Sequence, residues 1–272
     1  MPDDFLEEIK EIKRIKTHII GLDENLGGGI PEGHIVLLSG TAGTMKSSIA
    51  FNVMYNETLN NKKIGLYLSL EQSFPSLLKQ MIDMSYDLSM INLVTLADIS
   101  KLNDKIAEIT TSNKGSMVIS DLGAIRKQVE ELKVGPAGDW LNVIKNIIKK
   151  LKSKVGCDIF VLDSLSALYA LSNFETPRTQ LFHLFEYLRD SGLTSFLISE
   201  MPLDESKYAQ YEVEDYLCDG IIHVQLTKRY RKVTREISVP KMRATMCNLD
   251  IFTLEFKNNK FYALYGGKTP LV

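Results

Sequence analysis

The segment that most restricts the fold is Gly40-Thr-Ala-Gly-Thr-Met-Lys46-Ser47. It follows an apolar run, His34-Ile-Val-Leu-Leu-Ser39, and precedes a stretch with Ile49, Ala50, Val53, Met54 and Leu59 at helical spacing. A buried strand, a glycine-rich loop and a helix in that order form the context of a phosphate-binding P-loop. Backbone N–H groups of the loop and of the first helical turn make a concave nest for phosphate oxygens. The cradle is expected to comprise Gly40, Thr41, Ala42, Gly43, Thr44, Met45, Lys46, Ser47 and Ser48. Lys46 would place its ammonium on the terminal phosphates of the nucleotide, and the Ser47 hydroxyl would be a ligand of Mg²⁺.

One position departs from the motif. Methionine stands at 45, where glycine usually precedes the lysine. A near-helical backbone would accept Met45 with its side chain turned away from the phosphates. A positive φ would cost about 1 kcal/mol or more.

Further along, Ile159-Phe-Val-Leu162 runs into Asp163, placing a carboxylate at the end of a buried strand. In a parallel sheet that end lies beside the P-loop, where the carboxylate holds Mg²⁺ through water. Strands are also expected at 64–69, 116–120 and 193–199, and helices at 140–155 and 177–190. Ser73 followed by Phe74-Pro75 reads as an N-cap opening another helix. Alternation of this kind implies a mainly parallel sheet flanked by helices. Beyond residue 218 the pattern changes to short strands, at 221–226, 234–239, 250–256 and 261–264, which read as antiparallel C-terminal hairpins. Residues 1–16 carry Phe5, Leu6, Ile9, Ile12 and Ile15 among charges, the pattern of an amphipathic helix packed on its own domain or on a neighbouring subunit. Residues 17–272 then form a single domain.

With 272 residues, 44% of them hydrophobic and 24% charged, the chain can build a sizeable core. No apolar run reaches the ~18–20 residues of a membrane span, and the acidic start does not resemble a secretory signal, so a cytoplasmic location is expected. The net charge of −2 argues against a dedicated nucleic-acid binder. The basic run Lys228 to Lys232 with Arg235 offers one local patch, but Met201–Tyr216 is rich in acids that repel phosphates. Cys157, Cys218 and Cys247 show no metal-ligand spacing and read as small apolar residues.

Taken together, these segments resemble the KaiC-like ATPases of the RecA superfamily. The resemblance includes Gly21-Leu-Asp-Glu-Asn-Leu-Gly-Gly-Gly-Ile-Pro-Glu-Gly33, Leu70-Glu71-Gln72-Ser73, Ser199-Glu200, Cys218-Asp-Gly-Ile221 and Val239-Pro-Lys-Met-Arg-Ala-Thr245. It extends from about Thr17 to Leu264 and matches the length of one KaiC-type domain. It implies a RecA-like P-loop core that binds ATP and ADP with Mg²⁺, and a ring-like, hexamer-like homo-oligomer with nucleotide sites between subunits.

The resemblance also implies roles for particular residues. Glu71 would be the general base for the attacking water, with Gln72 where a second carboxylate is frequent; a helix-start acid is the alternative for Glu71. Glu200 would sense the γ-phosphate, or be a surface strand-end acid. Lys241 and Arg243 alternate along a predicted strand and would reach into the neighbour's site, or form an exposed basic face. Asp219 is expected to shape the turn into the next strand.

The leading functional expectation is therefore a regulatory Mg²⁺-dependent ATPase working as a ring-like homo-oligomer, in which hydrolysis would switch subunit contacts or a loop that touches a protein partner. The alternatives are a nucleotide sensor with little turnover, a RecA-like DNA-binding recombination accessory protein, and an autokinase like the clock relative.

Overall fold

The computed structural model describes residues 12–121, 123–124, 126, 140–172, 176–201, 208, 213–229 and 231–265. Its strands are β1 (Arg14–Ile15), β2 (Ile19–Ile20), β3 (Ile30–Pro31), β4 (Ile35–Gly40), β5 (Ile64–Ser69), β6 (Asn92–Leu96) and β7 (Ser116–Asp121), followed by β8 (Ile159–Asp163), β9 (Thr194–Glu200), β10 (Gly220–Arg229), β11 (Lys232–Met242), β12 (Phe252–Lys257) and β13 (Lys260–Tyr265). The helices are α1 (Lys46–Asn61), α2 (Phe74–Asp83), α3 (Leu102–Thr111), α4 (Trp140–Val155), α5 (Leu165–Ser172), α6 (Pro177–Ser191) and the short α7 (Glu214–Leu217).

Eleven strands form one sheet in the order β2-β13-β12-β11-β10-β4-β9-β8-β5-β7-β6. From β10 to β6 every neighbouring pair is parallel. The pairs joining β10, β11, β12 and β13 are antiparallel, as the change of pattern after residue 218 predicts.

Burial on both faces explains the continuous apolar runs of the central strands. Val36 and Leu38 face one core layer with Ile49, Val53 and Met54 of α1. Ile35 and Leu37 face the other, with Ile144, Ile148 and Leu151 of α4 and Leu184 and Leu188 of α6. Cys157 and Cys218 are buried free thiols, each pushed up to about 12 by burial.

One local expectation needs correction, and a second holds in position but not in its hydrogen bond. Residues 1–11 of the predicted N-terminal helix lie outside the described residues, but Arg14 and Ile15 at its end form strand β1, paired with β3. Tertiary hydrogen bonds hold this segment extended: the Arg14 guanidinium donates to the Gly29 carbonyl at 2.8 Å and to Thr245 Oγ1 at 2.9 Å. Ser73 does occupy the N-cap of α2, yet its side chain makes no capping bond. Asp121, at the end of β7, caps the helix from outside by accepting from the Phe74 N–H at 3.1 Å.

Register brings the chemistry-bearing strand ends level. Gly40 lies opposite Glu200, and Ser69 lies opposite Asp163. Their carboxyl ends share one edge of the sheet, where open α/β sheets bind ligands.

Candidate nucleotide-binding site

The loop after β4 closes tightly around its own backbone. The Thr44 hydroxyl donates to the Thr41 carbonyl at 2.8 Å. At Gly40, a Cβ would lie 2.1 Å from the Val224 carbonyl oxygen, so β10 admits no side chain there. Gly43 has φ +81°, a left-handed conformation that glycine adopts without strain.

Met45 also has a positive φ, 73°, with ψ 26°. The near-helical backbone that would accommodate a methionine is therefore not the one adopted, and the left-handed region costs a side-chain-bearing residue ~1–2 kcal/mol. Some compensation is visible, because the half-buried Met45 side chain packs against the core beneath α1. Glycine would remove the strain but lose that contact and add freedom to the unfolded chain. Met45→Gly should therefore lie within ~1 kcal/mol of the wild type in a denaturant melt. Met45→Ala keeps the strain and loses the contact, and should be less stable by roughly 1–2 kcal/mol. Equal stability of the alanine and wild-type proteins would contradict this assignment.

Lys46 is buried, and its ammonium donates to the carbonyls of Gly40 at 2.8 Å and Thr41 at 2.9 Å. Burial lowers its pKa, while Glu200, Glu71 and Asp163 act in the opposite direction. The lysine thus faces three carboxylates across the site. A pocket of about 210 Å³ is lined by residues 42–48, Glu71, Gln80, Asp163, Ile198 and Glu200. A larger hollow, about 430 Å³, lies between His18, Tyr55, Tyr86 and Asn259 and contains no residue of the phosphate loop, nor Asp163, Glu71 or Glu200. The chemistry, rather than the volume, selects the smaller pocket.

Asp163 ends β8 and is almost fully buried. Burial raises its pKa, opposed by hydrogen bonds from Tyr67 and Ser47. Tyr67 donates to Asp163 Oδ2 at 2.7 Å. Glu71 is exposed at the pocket rim, and its Oε1 accepts a short hydrogen bond from the Ser164 hydroxyl. Ser164 also accepts from the Ala167 N–H at 3.2 Å in the first turn of α5.

Gln72 does not line the pocket, and its side-chain oxygen accepts from Ser76 at 3.3 Å. Gln80, which the sequence did not single out, lines the pocket and donates to Ser48 Oγ at 3.3 Å. Its only local signal is a polar residue on α2. Its position over α1 depends on how the two helices pack.

Ser47, Asp163 and the neighbouring carboxylates are hard oxygen donors, the type Mg²⁺ prefers. One hydroxyl and one carboxylate at the phosphate nest, with room for water, fit the ion. Among the described residues no three-ligand His/Cys/Asp/Glu cluster competes with this arrangement.

Lys241 and Arg243 do not reach this pocket in their own chain. Lys241 donates to the carbonyls of Asp215 at 2.6 Å and Cys218 at 2.8 Å. Arg243 donates to Asp219 Oδ1 at 2.7 Å and to the Tyr216 carbonyl at 3.1 Å. Both engage the turn around residues 215–219, although Arg243 lies just beyond the end of β11 and not on the strand as expected. Met242 pairs with Gly220, which pairs with Val36, so the two cations sit near the start of β4 while the nest is at its end. Asp219 has the expected structural role, accepting from the Ile35 N–H at 3.1 Å.

A family model described as "ATPase: KaiC" matches residues 15–263. The chain belongs to the KaiC ATPase family. Among curated relatives, a UPF0273 protein of Thermotoga maritima is 29% identical over 94% of this chain and 99% of its own length. A UPF0273 protein of Sulfurisphaera tokodaii is 28% identical over 86% of this chain and 76% of its own. The circadian clock oscillator protein KaiC of Picosynechococcus is 25% identical over 87% of this chain, but the match spans 42% of that protein. A crystal structure of a KaiC-like protein from the archaeon Pyrococcus horikoshii superposes with a TM-score of 0.70 at 23% identity, covering 94% of this chain and all of that one. This likeness confirms the KaiC-type fold, a RecA-like parallel core with antiparallel C-terminal strands. Family membership supports a P-loop protein that binds ATP. No described helix is long and apolar enough to cross a membrane.

Proposed function

We propose that the chain is a Mg²⁺-dependent ATPase of regulatory type, working as a ring-like homo-oligomer with nucleotide sites between subunits. The observation that carries this reading is the convergence of the residue 40–48 nest, Lys46, Asp163 and Glu71 on one pocket. The nest and Lys46 bind the phosphates. Bound at Ser47 and Asp163, Mg²⁺ would neutralise phosphate charge.

Glu71 is placed to orient, and take a proton from, the water that attacks the γ-phosphate. The Ser164 hydroxyl holds one of its oxygens and leaves the other for the water. Glu200, opposite Gly40, stands where it can sense whether a γ-phosphate is present and pass that state along β9. Lys241 and Arg243 would complete the neighbour's site, and hydrolysis would switch subunit contacts or a surface that engages a protein partner.

A second reading, a nucleotide sensor with little turnover, draws support from the strained Met45 and from Gln72, an amide outside the pocket where a second carboxylate would help. Both readings require ATP binding at Lys46, and titration calorimetry tests that. Lys46→Ala should weaken Mg²⁺·ATP binding by about tenfold or more, since a charge-assisted contact to phosphate is removed. Unchanged affinity would place the nucleotide elsewhere and sink both readings.

A further inference from the structure

Tyr67 is fully buried in the middle of β5, where an apolar side chain would satisfy packing. Its ring contributes to the core and meets Phe51 of α1 at 6.2 Å. The hydroxyl needs a separate explanation. β5 pairs with β8 so that Tyr67 lies opposite Val161. Asp163 is two residues further along β8 and therefore on the same face. Such diagonal neighbours are within reach of an aromatic side chain. The phenol spans this gap and donates to Asp163 Oδ2 at 2.7 Å. It also lies 3.5 Å from the carbonyl oxygen of Ser47, the residue whose hydroxyl would share the metal ion. Hence one buried group touches both residues of the proposed Mg²⁺ site.

A phenol has one proton to donate, and the shorter contact shows that the carboxylate receives it. This bond engages Oδ2 and restrains the rotation of the carboxylate, which Ser47 also holds by a side-chain hydrogen bond. We propose that Tyr67 is a positioning residue for the metal site: it holds the Asp163 carboxylate in place beside Ser47, the pair that would take Mg²⁺ or its water. The proposal rests on the reading of the pocket as a Mg²⁺·nucleotide site. It goes beyond that reading by assigning metal affinity to a strand residue outside the loop motifs. Partners that orient a metal-binding carboxylate commonly contribute 10–100-fold in metal affinity.

The test is binding of a fluorescent ADP to the intact chain at increasing Mg²⁺, with an EDTA sample as the metal-free baseline. Tyr67→Phe removes one oxygen and keeps the ring. The expected result is a Mg²⁺ midpoint raised about tenfold, with metal-free ADP affinity unchanged within twofold. An unchanged midpoint in a folded Tyr67→Phe protein would overturn the proposal, as would an equal loss of metal-free affinity, which would mark the phenol as purely structural.

Should the phenylalanine chain fail to fold, 4-aminophenylalanine in place of Tyr67 retains both the ring and a donor. Its midpoint should stay within twofold of the wild type, and a tenfold shift there would also overturn the proposal. If the wild-type protein itself shows no Mg²⁺ dependence, the nucleotide reading fails, and that outcome is distinct from failure of the Tyr67 assignment.

Discussion

Replacing Glu71 with glutamine should reduce phosphate release by about 10²–10⁴-fold while leaving ATP affinity within a few-fold of the wild type. Glutamine has nearly the same shape and can still accept from Ser164, so the local geometry around α5 should survive. It cannot take a proton from water. Affinity should hold because Glu71 stands at the rim and contributes nothing to the backbone nest that binds the phosphates. The split between the two measurements is the diagnostic feature, since an interaction used only in the transition state lowers turnover without weakening binding. Release and affinity falling together would mean that Glu71 supports the fold of the site. Unchanged release would remove it as the base.

The second large effect concerns Lys241 and Arg243. Each already serves its own chain, and Arg243 neutralises the nearly buried Asp219. A simple loss of activity in Arg243→Ala would therefore be ambiguous. Geometry supplies a cleaner test. Within one chain these cations lie four residues of β4 before the nest, about 13 Å at ~3.3 Å per residue. They can act on phosphate only across a subunit boundary.

Lys46→Ala and Arg243→Ala proteins should each lose about 10³-fold or more in turnover, the scale of a cation supplied in trans. Mixed in equal amounts and allowed to exchange subunits, they should recover activity at roughly a quarter of interfaces, where an intact lysine meets an intact arginine. Activity of the mixture no higher than the average of its parts would restrict Arg243 to its structural role with Asp219.

The parts of the site visible in the sequence have a local physical cause. A strand buried on both faces leaves an uninterrupted apolar run, so β4 and β8 could be read directly, and with them the loop and Asp163 that follow. The antiparallel C-terminal strands were legible because long helical patterns stop after residue 218, although β10 and β11 extend further than their apolar cores suggest. β6 was missed: its residues Asn92–Leu96 carry a short, weak pattern, and the strand is specified by pairing with β7.

Contacts between distant segments were not legible. Tyr67 reads as an ordinary strand residue until the β5–β8 register puts it beside Asp163. Asp121 becomes the cap of α2 only because β7 ends next to it. Gln80 joins the pocket through the packing of α2 over α1. The predicted helix failed at Arg14–Ile15 for the same reason, since pairing with β3 outweighs the helical spacing of Ile12 and Ile15. Met45 marks a different limit, because sequence shows the departure from glycine but not the sign of φ.

The most direct test of the central claim is phosphate release by the purified chain with Mg²⁺ and ATP, against Lys46→Ala at the same concentration. The account predicts sustained release that disappears in the control, which would show that the strained Met45 loop still supports turnover. Wild-type release no greater than the control would contradict the ATPase assignment and leave a site that binds nucleotide without consuming it.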